Sequence, residues 1–398
     1  MRISTAQMQQ LGVDSILNQQ SKVSNTQQQL STDKRNLTPA DDPGGAAKAL
    51  TLQQSIDTLS QYNTNAQSAT TWLQQEDTTL SSATTLLQRV RDLAVQANNA
   101  TTTSSDRQNI AKEVKQSLDQ LVQIANTTNG TGDYMFGGYN TKSQPFSMDA
   151  TGNVTYTGDQ GQQYLQVSAT GQVALNDSGG NLFMNVPNGN GTYAVSANSA
   201  NTGSGIISGV SVTNAATAFN QPYTISFSSS SGQLQYTVTD GGGATVSGPA
   251  NFTPGGAISF GGRSVSISGQ PAAGDSFTVG NSRNQSIFTT VGNFLNALQS
   301  SPTTTSFNNV ANRTLNDLDQ AMQNIDGVRA SVGARLNSID STTGANSSSK
   351  LDLQKTLSGV QDLNYAQAIS NLSLQMTGLQ AAQQSFAKIE NLSLFKYL

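Results

Sequence analysis

Two residue types are missing from this chain: among its 398 residues there is neither a cysteine nor a histidine. Without cysteine there are no disulfides and no thiolate nucleophiles. Without histidine, zinc-histidine sites and Ser-His-Asp or Cys-His catalysis are excluded. We therefore expect no metal, no cofactor and no enzymatic activity.

Charge is scarce as well, since only 11% of the residues are charged and the net charge is −4. Nucleic-acid binding needs a concentrated positive surface, and a polybasic membrane anchor needs a cluster of basic residues. No stretch approaches the roughly 20 apolar residues of a transmembrane helix. No apolar run follows Met1-Arg2 as a signal peptide requires. We expect no nucleic-acid or membrane partner, and export, if it occurs, without a cleaved signal.

The C-terminal stretch 362–398 is the segment around which the chain is organised. Apolar residues recur there in steps of three and four, which places them on one face of a helix. They are Tyr365, Ile369, Leu372, Met376, Leu379, Ala382, Phe386 and Ile389. The opposite face is polar and almost uncharged, so this helix needs a partner to cover its apolar stripe.

The N-terminal segment is the expected partner. A helix is predicted from roughly Thr5 to Asn36, and four of its apolar residues stand seven apart. They are Ile16, Val23, Leu30 and Leu37, with Leu11 and Leu17 near the same seam. We predict that the two ends pair antiparallel and form an assembly surface.

A second helix, from Pro43 to about Asn99, shows the strongest pattern in the chain. Its apolar residues keep a strict seven-residue interval, as in a coiled coil or long bundle helix. The predicted core positions are Leu52, Leu59, Leu73, Leu80 and Leu87. At 1.5 Å per residue this helix is about 85 Å long, which predicts a rod.

Two further helices belong to the predicted rod. One begins near Asp106, which we expect to cap it, and the other covers 303–340 with Arg329 interrupting its apolar seam. The core positions of the second are Leu318, Ile325, Val332 and Ile339. A polar break is predicted at 341–349.

The stretch 37–45 predicts a hinge between the first two helices. The residue before Pro39 is disfavoured in a helix, Asp42 is placed as an N-cap, and Pro43 suits the first helical position. Asp41 and Asp42 offer too few oxygen ligands for calcium. The glycines of 134–139 are not followed by the Lys-Ser/Thr of a phosphate loop, so a tight turn under aromatic rings is expected.

Between about residues 140 and 280 the apolar period changes from seven to two, and Gly, Ser, Thr and Asn dominate. Alternation such as Tyr223, Ile225 and Phe227, with Gly-rich turns, is typical of a β-sandwich or open barrel. A weaker group around Val154 and Tyr156 predicts a separate small β unit.

The predicted fold class is therefore α+β: a long coiled-coil rod built from both chain ends, with an all-β, sandwich-like insert at its tip. The terminal helical assembly domain comprises 1–40 and 355–398, and the rod comprises 41–140 and 284–354. The insert covers 141–283, divided into two units at about residue 200.

Three stretches of this sequence resemble the flagellin superfamily. The segment 37–46 (LTPADDPGGA) is similar to the junction between terminal and rod domains, 87–97 (LQRVRDLAVQA) to the rod, and 362–370 (DLNYAQAIS) to the start of the terminal helix. The opening MRIST, the Asp-Asp-Pro form of the junction and 134–138 (YMFGG) resemble the members that form the hook-filament junction.

This resemblance implies a structural adaptor of the bacterial flagellum, located outside the cell and exported by the flagellar type III apparatus. It implies a ring of about eleven copies with closed symmetry. Hook-associated protein 1 would lie on the hook side and flagellin on the filament side, and an export chaperone would bind the C-terminal region. Terminal helices that order only on assembly would suit both export and polymerisation.

Three alternatives stay open at this point: flagellin itself, an adhesin-like β module on a flagellin-type rod, and an enzyme housed in the insert. A zinc peptidase is excluded because its motif needs histidine. A glycosidase would need a pair of carboxylates. The available ones stand in Gly- or Ser-rich turns, where Asp is common for backbone reasons: Asp149, Asp159, Asp177, Asp240 and Asp275.

Overall fold

Helices from both ends of the chain flank an inserted all-β region in the computed structural model, which describes residues 5–215, 221–301 and 303–391. The N-terminal helices are α1 (Thr5–Thr32), α2 (Pro43–Ala97) and α3 (Ser104–Ala125). The C-terminal helices are α4 (Ile287–Ser300), α5 (Thr304–Gln361) and α6 (Tyr365–Asn391). The predicted fold class is confirmed for this arrangement of elements.

The chain forms two compact units, each assembled from both ends of the sequence. Unit 1 contains residues 1–64 and 342–398, and unit 2 contains residues 65–341. The helices α2 and α5 contribute to both units, so the division falls within helices. The domain boundaries predicted at 40/41 and 354/355 lie inside unit 1 and stay predictions.

Helix bounds differ from the predictions at three places. First, α1 ends at Thr32 instead of Asn36, because Asp33 adopts a left-handed conformation with φ of 57° that a helix does not continue. Second, Thr103 is the N-cap of α3, and Asp106 completes a capping box from inside the first turn. The prediction that Asp106 is the cap was wrong by three positions.

The third difference concerns the polar break predicted at 341–349, which is wrong because α5 is helical throughout that stretch. The Ser348 hydroxyl donates to the Gly344 carbonyl one turn earlier, and Ser347 lies 3.4 Å from the Asn63 side chain on α2. A polar stretch therefore remains helical here with support from a neighbouring helix, although its composition favours a turn.

The first part of the insert consists of short hairpins and one turn of π-helix. These elements are β1 (Phe146–Met148), β2 (Val154–Tyr156), β3 (Tyr164–Gln166), β4 (Gln172–Ala174) and the π-turn Gly180–Met184. Phe146 and Phe183 join the apolar core of α2–α5, and Val173 packs with Leu73 and Val332. The hairpins thus extend the helical core.

The second part of the insert is a β-sandwich with its own core. A five-stranded antiparallel sheet has the order β11-β10-β9-β14-β6, and a smaller sheet pairs β12, β13, β7 and β8. The larger sheet comprises β6 (Tyr193–Ala197), β9 (Tyr223–Ser230), β10 (Gln233–Asp240), β11 (Thr245–Asn251) and β14 (Ser276–Asn281). The smaller one comprises β7 (Ile206–Ile207), β8 (Ser211–Val212), β12 (Ala257–Phe260) and β13 (Arg263–Ser268).

The inward-facing residues of the sandwich are those of the predicted period of two. Tyr223, Ile225 and Phe227 of β9 are buried, and the alternate residues Ser226 and Ser228 are exposed. The β9–β10 turn is two residues long, and Ser231 and Gly232 both have positive φ, as this type of tight hairpin requires.

Side chains of α5 hold the insert by hydrogen bonds to backbone groups of the insert. Asn309 accepts a hydrogen bond from the Ile207 N–H at 3.0 Å and donates to the Gly205 carbonyl at 2.9 Å. Asp317 accepts from the Gly189 N–H at 2.6 Å, beside the short pair β5 (Val186–Pro187) and β15 (Asn284–Gln285). Burial raises the pKa of the Asp317 carboxyl.

Candidate functional site

The helices α1 and α6 form an antiparallel pair in unit 1, which confirms the predicted pairing of the two ends. Gln19 donates to the Gln375 carbonyl at 3.0 Å, and Thr26 donates to the Gln375 side-chain oxygen at 2.9 Å. Near the other end of α1 the Phe386 ring lies over Gly12, where an added Cβ would come within 2.7 Å of the ring. These two helices are called the terminal pair below.

On α1, the residues facing α6 follow a regular pattern of three and four. The buried or half-buried positions along this seam are Gln9, Gly12, Ile16, Gln19, Val23, Thr26 and Leu30. Ile16, Val23 and Leu30 were predicted, whereas the small and polar positions between them were missed. The hydrogen bonds of Gln19 and Thr26 favour one register of the pair, as buried polar groups do in coiled coils.

On α6, the predicted apolar stripe is divided between a covered and an open edge. Leu372, Leu379 and Phe386 are half-buried against α1, together with the buried Ala368. Tyr365, Ile369 and Met376 are 48%, 57% and 46% exposed and form what we call the open edge. The side chain of Ile389 lies outside the described residues.

The prediction that Leu11 and Leu17 lie near the seam was wrong, because both side chains are exposed and do not face α6. Leu11 is 59% exposed and Leu17 is 57% exposed. At 100° per residue, Leu11 lies about 100° and Leu17 about 140° from the centre of the seam, with the exposed Asp14 between them. One helix pair therefore leaves apolar surface uncovered on both of its members.

Residues 33–42, called the junction loop, connect α1 to α2. Asp41 accepts hydrogen bonds from the backbone N–H of Leu37 at 3.0 Å and of Thr38 at 2.7 Å. The bond from Thr38 is the main cause of a lowered pKa for the Asp41 carboxyl. The predicted assembly residue Leu37 is half-buried in this loop.

The junction loop is also tied to the start of α2 and the end of α5. Asp42 accepts a hydrogen bond from the Gly45 N–H at 2.8 Å. Asp42 is therefore the N-cap of α2, whose first residue is Pro43. The Arg35 N–H donates to the Gln361 carbonyl at 2.8 Å, and the Leu363 N–H donates to the Asp33 carbonyl at 3.2 Å. Hydrogen bonds to the start of α2, to the end of α5 and to Leu363 therefore hold the loop in place.

The predicted rod positions differ in burial between the two units. Seven of them, all in unit 2, are no more than 2% exposed. They are Leu73, Leu80, Leu87, Leu318, Ile325, Val332 and Ile339. Leu52 and Leu59, in unit 1, are only half-buried.

Polar contacts between α2 and α5 were largely missed by the sequence analysis. Arg91 contacts Asp319 at 2.7 Å, and Arg329, singled out because it interrupts the seam, contacts Asp77 at 2.9 Å. Because these pairs are partly exposed, each contributes less than about 1 kcal/mol, and their main effect is on register.

Glu76 is a buried carboxyl of α2 with a strongly shifted pKa. It is 1% exposed and accepts a hydrogen bond from the Asp177 N–H at 3.0 Å. Burial, together with the nearby Asp177 carboxylate, raises the pKa of Glu76 to about 8. Arg335 contacts Asp177 at 2.8 Å and only partly offsets this effect.

The five aspartates considered for catalysis have structural roles in turns or ion pairs. Asp149, Asp159, Asp240 and Asp275 each accept hydrogen bonds from backbone N–H groups of nearby turns. Asp177 pairs with Arg335. In the described ranges, no group of three or more acidic residues is arranged to hold a metal ion.

Of the helices in the described part of the chain, none combines the length and the apolar character that a bilayer span requires.

Comparison with known proteins matches both ends of the chain to one family. The model of the bacterial flagellin N-terminal helical region matches residues 3–141, and that of the C-terminal helical region matches residues 315–398. The crystal structure of flagellar hook-associated protein 3 from Legionella pneumophila is 34% identical, with a TM-score of 0.75. It aligns with 78% of this chain and 98% of its own. This chain belongs to the flagellar hook-associated protein 3 family.

Other relatives agree with this membership. The FlgL structure from Xanthomonas campestris is 32% identical over 77% of this chain and 99% of its own, with a TM-score of 0.71. Flagellar hook-associated protein 3 of Escherichia coli K12 is 32% identical over 183 residues, which is 46% of this chain. That match spans only 57% of the curated relative's length. Flagellins match too, for example that of Salmonella berta at 31% identity over 39% of its length.

Proposed function

We propose that this chain is a structural adaptor of the bacterial flagellum that forms the hook-filament junction, the ring on which flagellin polymerises. The observation that supports this most directly is the incompletely covered terminal pair. Its open edge and the Leu11 and Leu17 side of α1 leave large apolar side chains in contact with water. Neighbouring subunits in an assembly would remove that surface from water, which favours association.

The proposed partners follow from the family and from this surface. Copies of the chain would form a closed ring of about eleven subunits. Hook-associated protein 1 would bind on the hook side and flagellin on the filament side. The chain would leave the cell by the flagellar export route, with a chaperone at its C-terminal region.

Flagellin itself is the rival function, and the relatives disfavour it. In sequence, flagellar hook-associated protein 3 of Escherichia coli K12 matches over 57% of its length, whereas the flagellin of Salmonella berta matches over 39% of its length. A catalytic role is disfavoured by the family, whose matched members are structural proteins of the flagellum.

Deletion of the gene tests the adaptor against its rival. An adaptor deletion leaves hooks without filaments and releases unassembled flagellin into the medium, and the full chain restores filaments. Loss of filaments with no secreted flagellin would instead support flagellin as the function. Normal filaments in the deletion strain would contradict both.

A further inference from the structure

A preformed cleft lies beside the junction loop in unit 1. It has a volume of about 430 Å³ and is bounded by the junction loop, the first turns of α2 and the last turn of α5. Leu37, Pro39, Leu50 and Val360 supply apolar surface, and Leu50 is 62% exposed. We call this feature the junction cleft.

The walls of the junction cleft are held in place without an occupant. Asp41 and Asp42 bond to backbone N–H groups on either side of it, and the Arg35 N–H bonds to the Gln361 carbonyl. A preformed cleft, here with a lining that is partly apolar and partly polar, binds with a smaller entropy cost than one that must order first. The cleft is thus suited to receive a protein side chain.

Charge selects between the two exposed helices that this chain could offer to a second copy. Among the residues that line the cleft, Lys34 alone is charged. On α1, Asp14 stands between the exposed Leu11 and Leu17. On α6, no acidic or basic residue occurs from Tyr365 to Ala387, so this helix offers no carboxylate to Lys34.

We propose that the junction cleft receives the Leu11–Asp14–Leu17 face of α1 from a second copy of this chain, with Asp14 opposite Lys34. This inference rests on the proposed assembly function and names the two halves of one contact in it. Burial of the two leucines against Leu50 and Val360 would provide the affinity. The Asp14–Lys34 pair would set orientation and register, which is the usual effect of charges at an interface.

Charge exchange tests the pairing in a strain that lacks the native gene. Asp14→Lys and Lys34→Glu are each expected to lower incorporation of the chain into isolated flagella at least five-fold. The double variant, in which the charges are exchanged, is expected to recover most of it. Secretion of each variant into the medium and its thermal melting serve as controls, because both residues are exposed.

A cysteine test identifies the occupant directly, since the native chain contains no cysteine. Flagella that carry the Leu11→Cys, Leu50→Cys double variant are expected to yield disulfide-linked dimers of the chain on mild oxidation, whereas each single variant is not. Leu50→Cys combined with Ile369→Cys is the matched control for occupation by α6.

The outcomes separate this inference from the proposed function. Additive loss in the charge-exchanged variant, cross-linking through Ile369, or a cross-link to a chain of different mass would each overturn the inference, and so would no cross-link. In all of these cases normal incorporation of the native chain leaves the adaptor function intact. Failure of the native chain to enter flagella would contradict that function itself.

Discussion

The two compact units cover similar heptad stripes to different extents. In unit 2, Leu73, Leu80 and Leu87 of α2 are completely buried, because α3, α4 and the short hairpins pack around the α2–α5 pair. In unit 1, α1 and α6 have mainly each other, and Val23 is the only large apolar residue of that pair that is buried among the described side chains. Burial therefore depends on the number of neighbouring elements more than on the regularity of the stripe.

The largest difference between the units is expected from truncation of a core leucine. Leu80→Ala should lower the free energy of unfolding by about 2–5 kcal/mol, because the side chain is fully buried. The matched change Leu17→Ala in α1 should lower it by less than about 0.5 kcal/mol. Chemical denaturation of the purified chain measures both, and equal losses would contradict the comparison.

The buried Glu76 should make unit 2 less stable as the pH rises. Its pKa is raised from 4.5 to about 8 in the folded chain, so the folded state holds a proton there that the unfolded state releases. The stabilisation is complete below pH 4.5, decreases as the pH rises and is lost above about pH 8.

The Glu76→Gln variant tests this effect, since its side chain stays neutral. It should remove a few kcal/mol of the pH-dependent loss in stability between pH 5 and pH 8. Denaturation curves at several pH values compare the variant with the native chain. Parallel pH profiles for the two proteins would show that Glu76 is not the group responsible.

The cap of α2 should contribute a smaller amount to unit 1. Asp42→Ala removes the bond to the Gly45 N–H and is expected to cost about 1 kcal/mol. Asp42→Asn retains an acceptor and is the control that should recover most of this loss. If both variants lost the same stability, the carboxylate charge, and not the cap, would be the important feature.

The open edge should show the smallest effect on stability and a large effect on assembly. Ile369→Ser changes a side chain that is 57% exposed, so the melting temperature of the isolated chain should move by only a few degrees or less. Incorporation into flagella should fall sharply if neighbouring copies cover this edge. Unchanged incorporation would show that the open edge faces solvent in the assembly.

Much of the fold was predictable because its signals are local and periodic. The seven-residue repeat located α2 and α5, and the period of two located the strands of the sandwich, including β9 and β10. The terminal pairing followed from two apolar stripes that needed partners. The candidate assembly residues were predicted as complete faces, yet the structure divides the α6 face into a covered and an open edge.

Features that depend on contacts distant in sequence were not predictable in this way. The polar residues Gln19 and Thr26 lie on the seam because Gln375 of α6 offers them hydrogen bonds. Arg263 is buried in the sandwich because the rings of Tyr193 and Tyr223 lie 3.7 Å and 5.0 Å from its guanidinium group. Arg263 lies on the inward face of β13 with Val265 and Ile267, where the period of two predicts an apolar residue and not an arginine.

By itself, the sequence determined which segments are helices or strands and which face of each is apolar, since these properties depend on the spacing of neighbouring side chains. Only the tertiary structure decided which part of each face is covered, because coverage depends on how many other elements pack there. The packing of other elements buries Leu80, and its absence leaves Ile369 and Leu50 exposed. Packing is also what creates the junction cleft beside residues 33–42.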